Sequence, residues 1–417
     1  MQREWPHLPA FFPDCRLEAG ASRPADALTL PPLQEGDWAT PAFHAIRRPV
    51  AVLAPFAPPS RPALPQEVLP AWREAFGEDP PAALLDALPY TRFACPFSPR
   101  PISAGAAVAI LALWRRTAAQ NCQIGSFLGM AGWKQAAITS AFGPAHFAKN
   151  PAAALARPGK VLAWASSLTP ATETDFSPAL LARAAALRAR ITAANITKYN
   201  LAEPLPPLPA TPGRRRILVV GQVEDDASIR HGAGRVRSNA QLLAAARAAE
   251  PQAFLIYKPH PDVQTGYRRG YLPTREARRH ADMVLTSGDI GRLLAQMDAL
   301  HSITSLAGFE ALLRGVAVTS WGAPFYAGWG LTDDREPPPR RGRRLCLDAL
   351  VAACLILYPR YQDPLTLLPC TPELLLDRLA EPARWPPLPP ARRAYLAWWR
   401  LQGRWLKCAR ATGLWRR

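Results

Sequence analysis

Residues Ile217-Leu-Val-Val-Gly-Gln-Val-Glu-Asp-Asp-Ala-Ser228 form an apolar run that stops at a glycine and opens onto three consecutive carboxylates. From Ile217 to Val220 there is no polar alternation, and a strand apolar on both faces needs cover on both, as in a parallel sheet flanked by helices. Gly221 permits the sharp exit that such a strand requires. In open α/β sheets ligands bind beyond the carboxyl ends of the strands, which predicts Glu224, Asp225 and Asp226 at a site. An acidic triplet is equally at home in a solvated loop or a helix cap, and these twelve residues leave both readings open.

The remainder of this region follows the same pattern. A proline-rich linker, Glu203–Gly213, precedes the strand, and helix 239–249 follows with Ser238 as its N-cap. Strand 254–257 ends in Lys258-Pro-His-Pro-Asp262. Helix 276–280, strand 283–285, helix 289–297 and a short strand near 300–303 come next. Thr304-Ser-Leu-Ala-Gly-Phe-Glu310 then opens a helix closed by Gly315, and 316–320 is a further strand. Such alternation predicts a doubly wound parallel sheet. Beyond it lie 321–330, the basic run 340–344, a helix over 347–358 and a Trp/Arg-rich helical tail from Arg392.

Upstream the signals are weaker. Residues 1 to about 95 are proline-rich, with Pro-Pro at 31–32, 58–59 and 80–81 and one convincing helical piece, 67–76. Then 103–117 reads as a helix, 123–128 as a strand ending at Gly129, 133–142 as a helix and 161–165 as a strand. The alternation breaks off there, and the chain passes through Thr- and Pro-rich residues into a long helix over 178–194. Four segments are therefore expected: an irregular extension (1–95), a truncated Rossmann-like domain (96–200), a complete ligand-binding domain (213–375) and a basic tail (376–417).

With 50 Lys+Arg against 32 Asp+Glu the net charge is +18 and the pI about 10.3, a balance that favours anionic partners. No zinc-finger spacing or RNA-binding aromatic signature accompanies the charge, so nucleic acid is not the expected partner. The seven cysteines are widely spaced without a Cys-x-x-Cys pair, which predicts a reducing cytoplasm rather than a disulfide framework or zinc site. The start lacks the apolar core of a signal peptide, and no stretch reaches the roughly 18 apolar residues of a membrane span. The expectation is a cytoplasmic protein whose basic surface can rest on an anionic inner-membrane face.

Three strand ends in 213–375 carry unusual polar groups. His260 lies between two prolines that fix its backbone, beside Lys258, where it can bond a phosphate; a lone histidine is also commonly structural. Thr304 and Ser305 sit at a helix mouth, where free N–H groups favour an anion, although simple N-capping explains them equally well. Together the three ends suggest a sugar-nucleotide phosphate held by His260 and Ser305, with carboxylates near the anomeric carbon as nucleophile or general base. No Asp-x-Asp stands alone as a metal ligand, and a cationic site can stabilise a leaving nucleotide without one.

Gly221-Gln-Val-Glu-Asp-Asp-Ala-Ser-Ile229, Tyr257-Lys-Pro-His-Pro-Asp-Val263, Thr304-Ser-Leu-Ala-Gly-Phe-Glu-Ala-Leu-Leu-Arg-Gly315 and Trp321-Gly-Ala-Pro-Phe-Tyr-Ala-Gly-Trp-Gly-Leu-Thr-Asp333, with Thr197-Lys-Tyr-Asn200 and Leu357-Tyr-Pro-Arg-Tyr361, resemble the capsular polysaccharide β-Kdo transferase family over roughly 100–375. The resemblance implies an α/β GT-B-like fold of two Rossmann-like domains. It also implies CMP-Kdo as donor substrate with no further cofactor, retention of anomeric configuration, and a lyso-phosphatidylglycerol or Kdo-lipid acceptor in capsule assembly and export. Asp226 is the first choice of nucleophile, with Asp225 and Glu224 as alternatives. His260, Ser305 and Thr304 would hold the CMP phosphate, and Gln222, Lys258 and Glu310 complete the substrate-binding set. Capsule export proteins are the implied partners. One departure stands out: the Glu-Asp-Gly-Phe-x-Arg-Ser and Pro-Pro-Leu-Ser…Tyr-Tyr-Asp segments that family members carry in the N-terminal half, the first with the general acid/base glutamate, are not found where 161–167 passes into 172–177.

Overall fold

The computed structural model describes residues 46–49, 68–69, 72–73, 79, 91–98, 101–130, 132–162, 171, 174–198, 203–264, 268–338 and 341–380. The expected tail from Arg392 lies outside them, as do most of the proline-rich extension, residues 163–165 of the expected strand, Tyr199-Asn200 and Arg340. Residues 68–69 and 72–73 of the expected helix 67–76 are helical. By compactness the described residues fall into two units, those within 1–165 and 360–386 and those within 166–359.

In the first unit β1 (Ile46–Pro49), β2 (Thr91–Ala94) and β3 (Pro101–Ile102) form an antiparallel sheet. Helix α1 (Ala104–Cys122) begins at Ser103, whose hydroxyl accepts the Ala106 N–H, and buries Ala107, Val108, Ala112 and Trp114. Then come β4 (Ile124–Leu128), α2 (Gly132–Phe142), β5 (Phe147–Ala148), α3 (Pro151–Leu155) and β6 (Lys160–Leu162), giving a parallel sheet in the order β5-β4-β6. The sequence did not signal β5 or α3, because two strand residues and one helical turn are too short to show a period.

The second unit opens with α4 (Pro178–Ala193), capped by Ser177. It continues through β7 (Arg216–Val220), α5 (Ala227–Gly232), α6 (Asn239–Ala249), β8 (Phe254–Lys258), α7 (Pro261–Gln264), α8 (Thr274–Ala277) and β9 (Met283–Val284). After these come α9 (Ile290–Leu294), β10 (Ala299–Ser302), α10 (Leu306–Leu313), β11 (Ala317–Ser320), β12 (Asp333–Asp334) and α11 (Leu347–Val351). The expected helix 347–358 changes hydrogen-bond pattern part-way, into a π-helical stretch at Ala352–Leu357. All six strands are parallel, in the order β12-β11-β10-β7-β8-β9. Numbered within the unit this is 6-5-4-1-2-3, the doubly wound order, whose direction of winding reverses between β7 and β10.

The expected absence of polar alternation in β7 corresponds to burial on both faces. Ile217 and Val219 pack with Leu242, Leu243, Ala246, Leu255 and Tyr257, while Leu218 and Val220 face the other way and are also buried. Each such aliphatic chain contributes roughly 1.5–3 kcal/mol. The Ser238–Gln241 capping box starts α6, and Gly315 (φ 75) follows α10. On the α4 side, Arg188 pairs with Asp348 of α11 at 2.8 Å.

The chain then rejoins the first unit through β13 (Tyr361–Gln362), β14 (Pro369–Cys370) and α12 (Pro372–Ala380). Fully buried Asp363 accepts Arg378 Nε at 2.7 Å, and the same guanidinium donates to the Phe97 carbonyl. Breaking a buried pair of this kind costs about 3–5 kcal/mol, so this bond fastens the returning segment to the unit.

Candidate active site

The winding reversal places the carboxyl ends of β7 and β10 side by side, and Gln222 holds them there. Its Oε1 accepts the Thr304 and Ile303 N–H groups at 2.8 and 3.2 Å, and its Nε2 donates to Thr304 Oγ1 at 2.9 Å. Both predicted site residues thus spend their polar atoms on each other. Gly221 makes the tight exit possible: a Cβ there would lie 2.6 Å from the Tyr257 hydroxyl. That hydroxyl is buried and has no hydrogen-bond partner among the described residues.

The three carboxylates diverge. Glu224 Oε1 accepts the Asn239 N–H at the start of α6, at 2.7 Å. Asp225 is half-exposed and pairs with Arg268 at 3.3 Å, a surface contact worth at most about 1 kcal/mol. Asp226 is the N-cap of α5, and its Oδ1 accepts the Ser228 N–H at 2.9 Å and the Ser228 hydroxyl at 2.8 Å. The helix-cap reading of the triplet is thus realised at Asp226, with one carboxylate oxygen, Oδ1, serving the cap. Partial burial opposes ionisation of Asp226, but the two Ser228 bonds and the charges of Arg268 and Lys198 outweigh it and hold the carboxyl below its usual value.

A cleft of about 140 Å³ opens at this edge of the sheet, lined by Val220, Gly221, Lys258, His260, Gln264, Ser305 and Glu310 among others. Ser305 caps α10, its hydroxyl accepting the Ala307 N–H at 3.2 Å. The Gly308 N–H bonds the Ser305 carbonyl at 3.1 Å, and Ser305, Leu306 and Ala307 line the cleft, so the partly positive amino end of α10 borders it. His260 Nδ1 accepts the Asp262 N–H at 3.1 Å, which leaves the proton of the neutral ring on Nε2. Burial lowers the His260 pKa, Asp262 and Asp226 oppose, and Lys198 and Arg268 reinforce the shift. Lys258 Nζ donates to the Ser287 carbonyl at 3.1 Å; burial lowers its pKa against the pull of Glu203 and Asp289. Glu310 is almost fully buried, and Oε1 accepts the Lys198 N–H at 2.6 Å. Burial raises its pKa, while that bond and the charges of Arg314 and Lys198 oppose the rise.

His260, Lys258, Ser305 and Glu310 therefore meet in one cleft, Asp226 stands within electrostatic reach of His260, and Gln222 and Thr304 brace the strand ends behind. Two further lining residues carried no role in the sequence reading. Lys198 belongs to a quoted motif but sits 112 positions from Glu310, a separation that no local period reveals. Gln264 Nε2 is buried and has no hydrogen-bond partner among the described residues.

The family model described as capsule polysaccharide biosynthesis protein matches residues 159–361, a span that holds the whole cleft. Among relatives, the capsule polysaccharide modification protein LipA of Neisseria meningitidis serogroup A is 48% identical over 194 residues, 46% of this chain and 27% of LipA. The lipopolysaccharide-processing protein LpsZ of Rhizobium meliloti is 47% identical over 184 residues, 44% of this chain and 42% of LpsZ. The chain thus spans less than half the length of either capsule or lipopolysaccharide relative. Among solved structures, the β-Kdo 2,7 transferase of Thermosulfurimonas dismutans KpsC is similar with a TM-score of 0.51 and 26% identity, over 62% of this chain and 99% of that one. The mixed α/β architecture with parallel sheets is that of this GT-B-like glycosyltransferase neighbour.

Proposed function

We propose that the cleft of the second unit is the donor site of a retaining β-Kdo transferase that uses CMP-Kdo. The observation that carries this reading is the meeting of His260 and the amino end of α10 at Ser305 in one cleft at the winding reversal of a doubly wound sheet, with Asp226 in electrostatic reach of His260. His260 Nε2–H and the α10 N–H groups receive the CMP phosphate. Asp226, ionised at neutral pH because Ser228, Arg268 and Lys198 favour its charged form, attacks the anomeric carbon as the phosphate leaves. A depressed pKa suits a nucleophile and makes a poor general base. The acceptor is a lyso-phosphatidylglycerol or Kdo-lipid on an anionic inner-membrane surface, with capsule export proteins as partners, and the first unit takes the acceptor side.

A second reading, a CMP-sugar-binding relic or scaffold of the same family, is favoured by the missing acid/base segment and by the short sheet of the first unit. One experiment separates the two. With CMP-Kdo and a lipid acceptor, the transferase releases CMP, and Asp226→Asn lowers the rate at least about 10³-fold, the scale of losing a covalent nucleophile. The relic binds CMP-Kdo without release. Should the peptide carrying Gln222–Ser228 acquire a Kdo adduct that does not turn over, the nucleophile is present and the second step lacks its base.

A further inference from the structure

We propose that Lys198 is a further residue of the donor site, a cation that Glu310 and its neighbours position to meet the phosphate as it leaves. The inference rests on the donor reading above and assigns that site a residue which neither the strand-end signals nor the helix cap suggested.

Much polar structure is spent on one short turn. Asn195 adopts a left-handed conformation (φ 49), which costs a non-glycine residue energy and persists only when its surroundings enforce it. Here they do. Asn195 Nδ2 donates to both Asp289 oxygens at 3.1 and 3.0 Å, and its own Oδ1 lies so near Gly291 that a Cβ there would stand 1.9 Å away. Arg314 donates to the Ile196 carbonyl at 3.2 Å and to the Glu310 carbonyl at 3.0 Å. Glu310, buried at a cost a carboxylate seldom bears without partners, accepts the Lys198 N–H. Groups from α9 and α10 thus fix residues 195–198, and this fixing sets where Lys198 stands.

That place is exposed, and Lys198 lines the cleft together with Ser305 and His260. The Lys198 charge acts on both His260 and Asp226, the proposed phosphate ligand and the proposed nucleophile. Lys258 also lines the cleft, where it bonds the Ser287 carbonyl and feels the charges of Glu203 and Asp289. When the bond from the anomeric carbon to the phosphate oxygen breaks, its electron pair stays on the phosphate and a carboxylate oxygen of Asp226 bonds the carbon. The added charge appears on CMP, where a lysine lining the cleft stabilises it as a compact point charge.

Calorimetric titrations of the whole chain with CMP and with cytidine, which has the same base and sugar but no phosphate, test this. In Lys198→Met, CMP affinity should fall about tenfold or more while cytidine affinity stays unchanged, and Lys198→Arg should recover most of the loss. The CMP affinity of the parent should also fall more steeply with salt than that of Lys198→Met. Lys198→Gln replaces the methionine variant should the latter fail to fold. Unchanged CMP affinity, or equal losses for CMP and cytidine, would overturn the assignment while leaving the donor site standing. A parent chain that binds no CMP would remove the donor reading and this inference together.

Discussion

In the first unit β4 meets β5 through two register pairs, Phe127 with Phe147 and Leu128 with Ala148, whereas in the second unit β7 meets β8 through five, from Arg216 with Phe254 to Val220 with Lys258. The longer ladder is buried on both faces and fixes the level at which its strands end, and polar groups placed there keep their geometry. Gln222 can brace Thr304, and His260 can hold one tautomer against the Asp262 N–H. Beside the short ladder lies a simpler polar pair: Ser126 Oγ is 3.1 Å from His146 Nδ1. The two sheets share parallel pairing, and the more deeply buried one carries the proposed strand-end site.

The largest effect expected from this contrast concerns His301, fully buried in β10 with its Nδ1 accepting from Trp321 at 3.3 Å and its Nε2 without a partner among the described residues. Burial drives its pKa down to about 4, with Arg335 and Arg215 adding to the fall and Asp333 opposing it. Between its ordinary value near 6.5 and about 4, the unfolded chain takes up a proton that the folded chain refuses. Stability is therefore complete above pH 6.5 and is lost as the pH falls towards 4, by up to roughly 3 kcal/mol. Denaturant titrations from pH 7.5 to 4.5 should show that loss, and His301→Gln should flatten it. A variant whose pH slope matches the parent's would mean that the deep sheet does not exclude the proton.

A smaller effect sharpens the same contrast between two histidines. His260→Ala should weaken CMP binding by about 1.5–3 kcal/mol, the worth of a hydrogen bond to a charged group, whereas His146→Ala should leave it unchanged. Calorimetry that finds the reverse order would place the nucleotide in the first unit.

Much of the second unit is legible in the sequence because its signals are local. The apolar run of β7, the Ser238 cap and the glycine after α10 stand within a residue or two of their expected places. His260 and Ser305 sit at strand and helix ends because proline and capping chemistry put them there. Other features depend on partners far along the chain. Asp226 reads as a capping residue only once α5 exists, a six-residue helix too short to show a period. The two-residue strands β5 and β12 are defined by their ladders. The π-helical stretch after α11 alters hydrogen bonding without altering the apolar pattern of 347–358. The Gln222 amide is held across 82 residues and the Lys198 N–H across 112, separations that no local pattern reveals.

The proposed donor site requires CMP to bind at the winding reversal of the six-stranded sheet. Hydrogen–deuterium exchange of the whole chain, with and without saturating CMP, tests it most directly. Peptides covering 258–264 and 303–310 should exchange more slowly with CMP, as should those reaching Thr197 and Lys198, while peptides within 123–162 should not change. Protection confined to 123–162, or no protection anywhere at a CMP concentration that saturates calorimetric binding, would contradict the account.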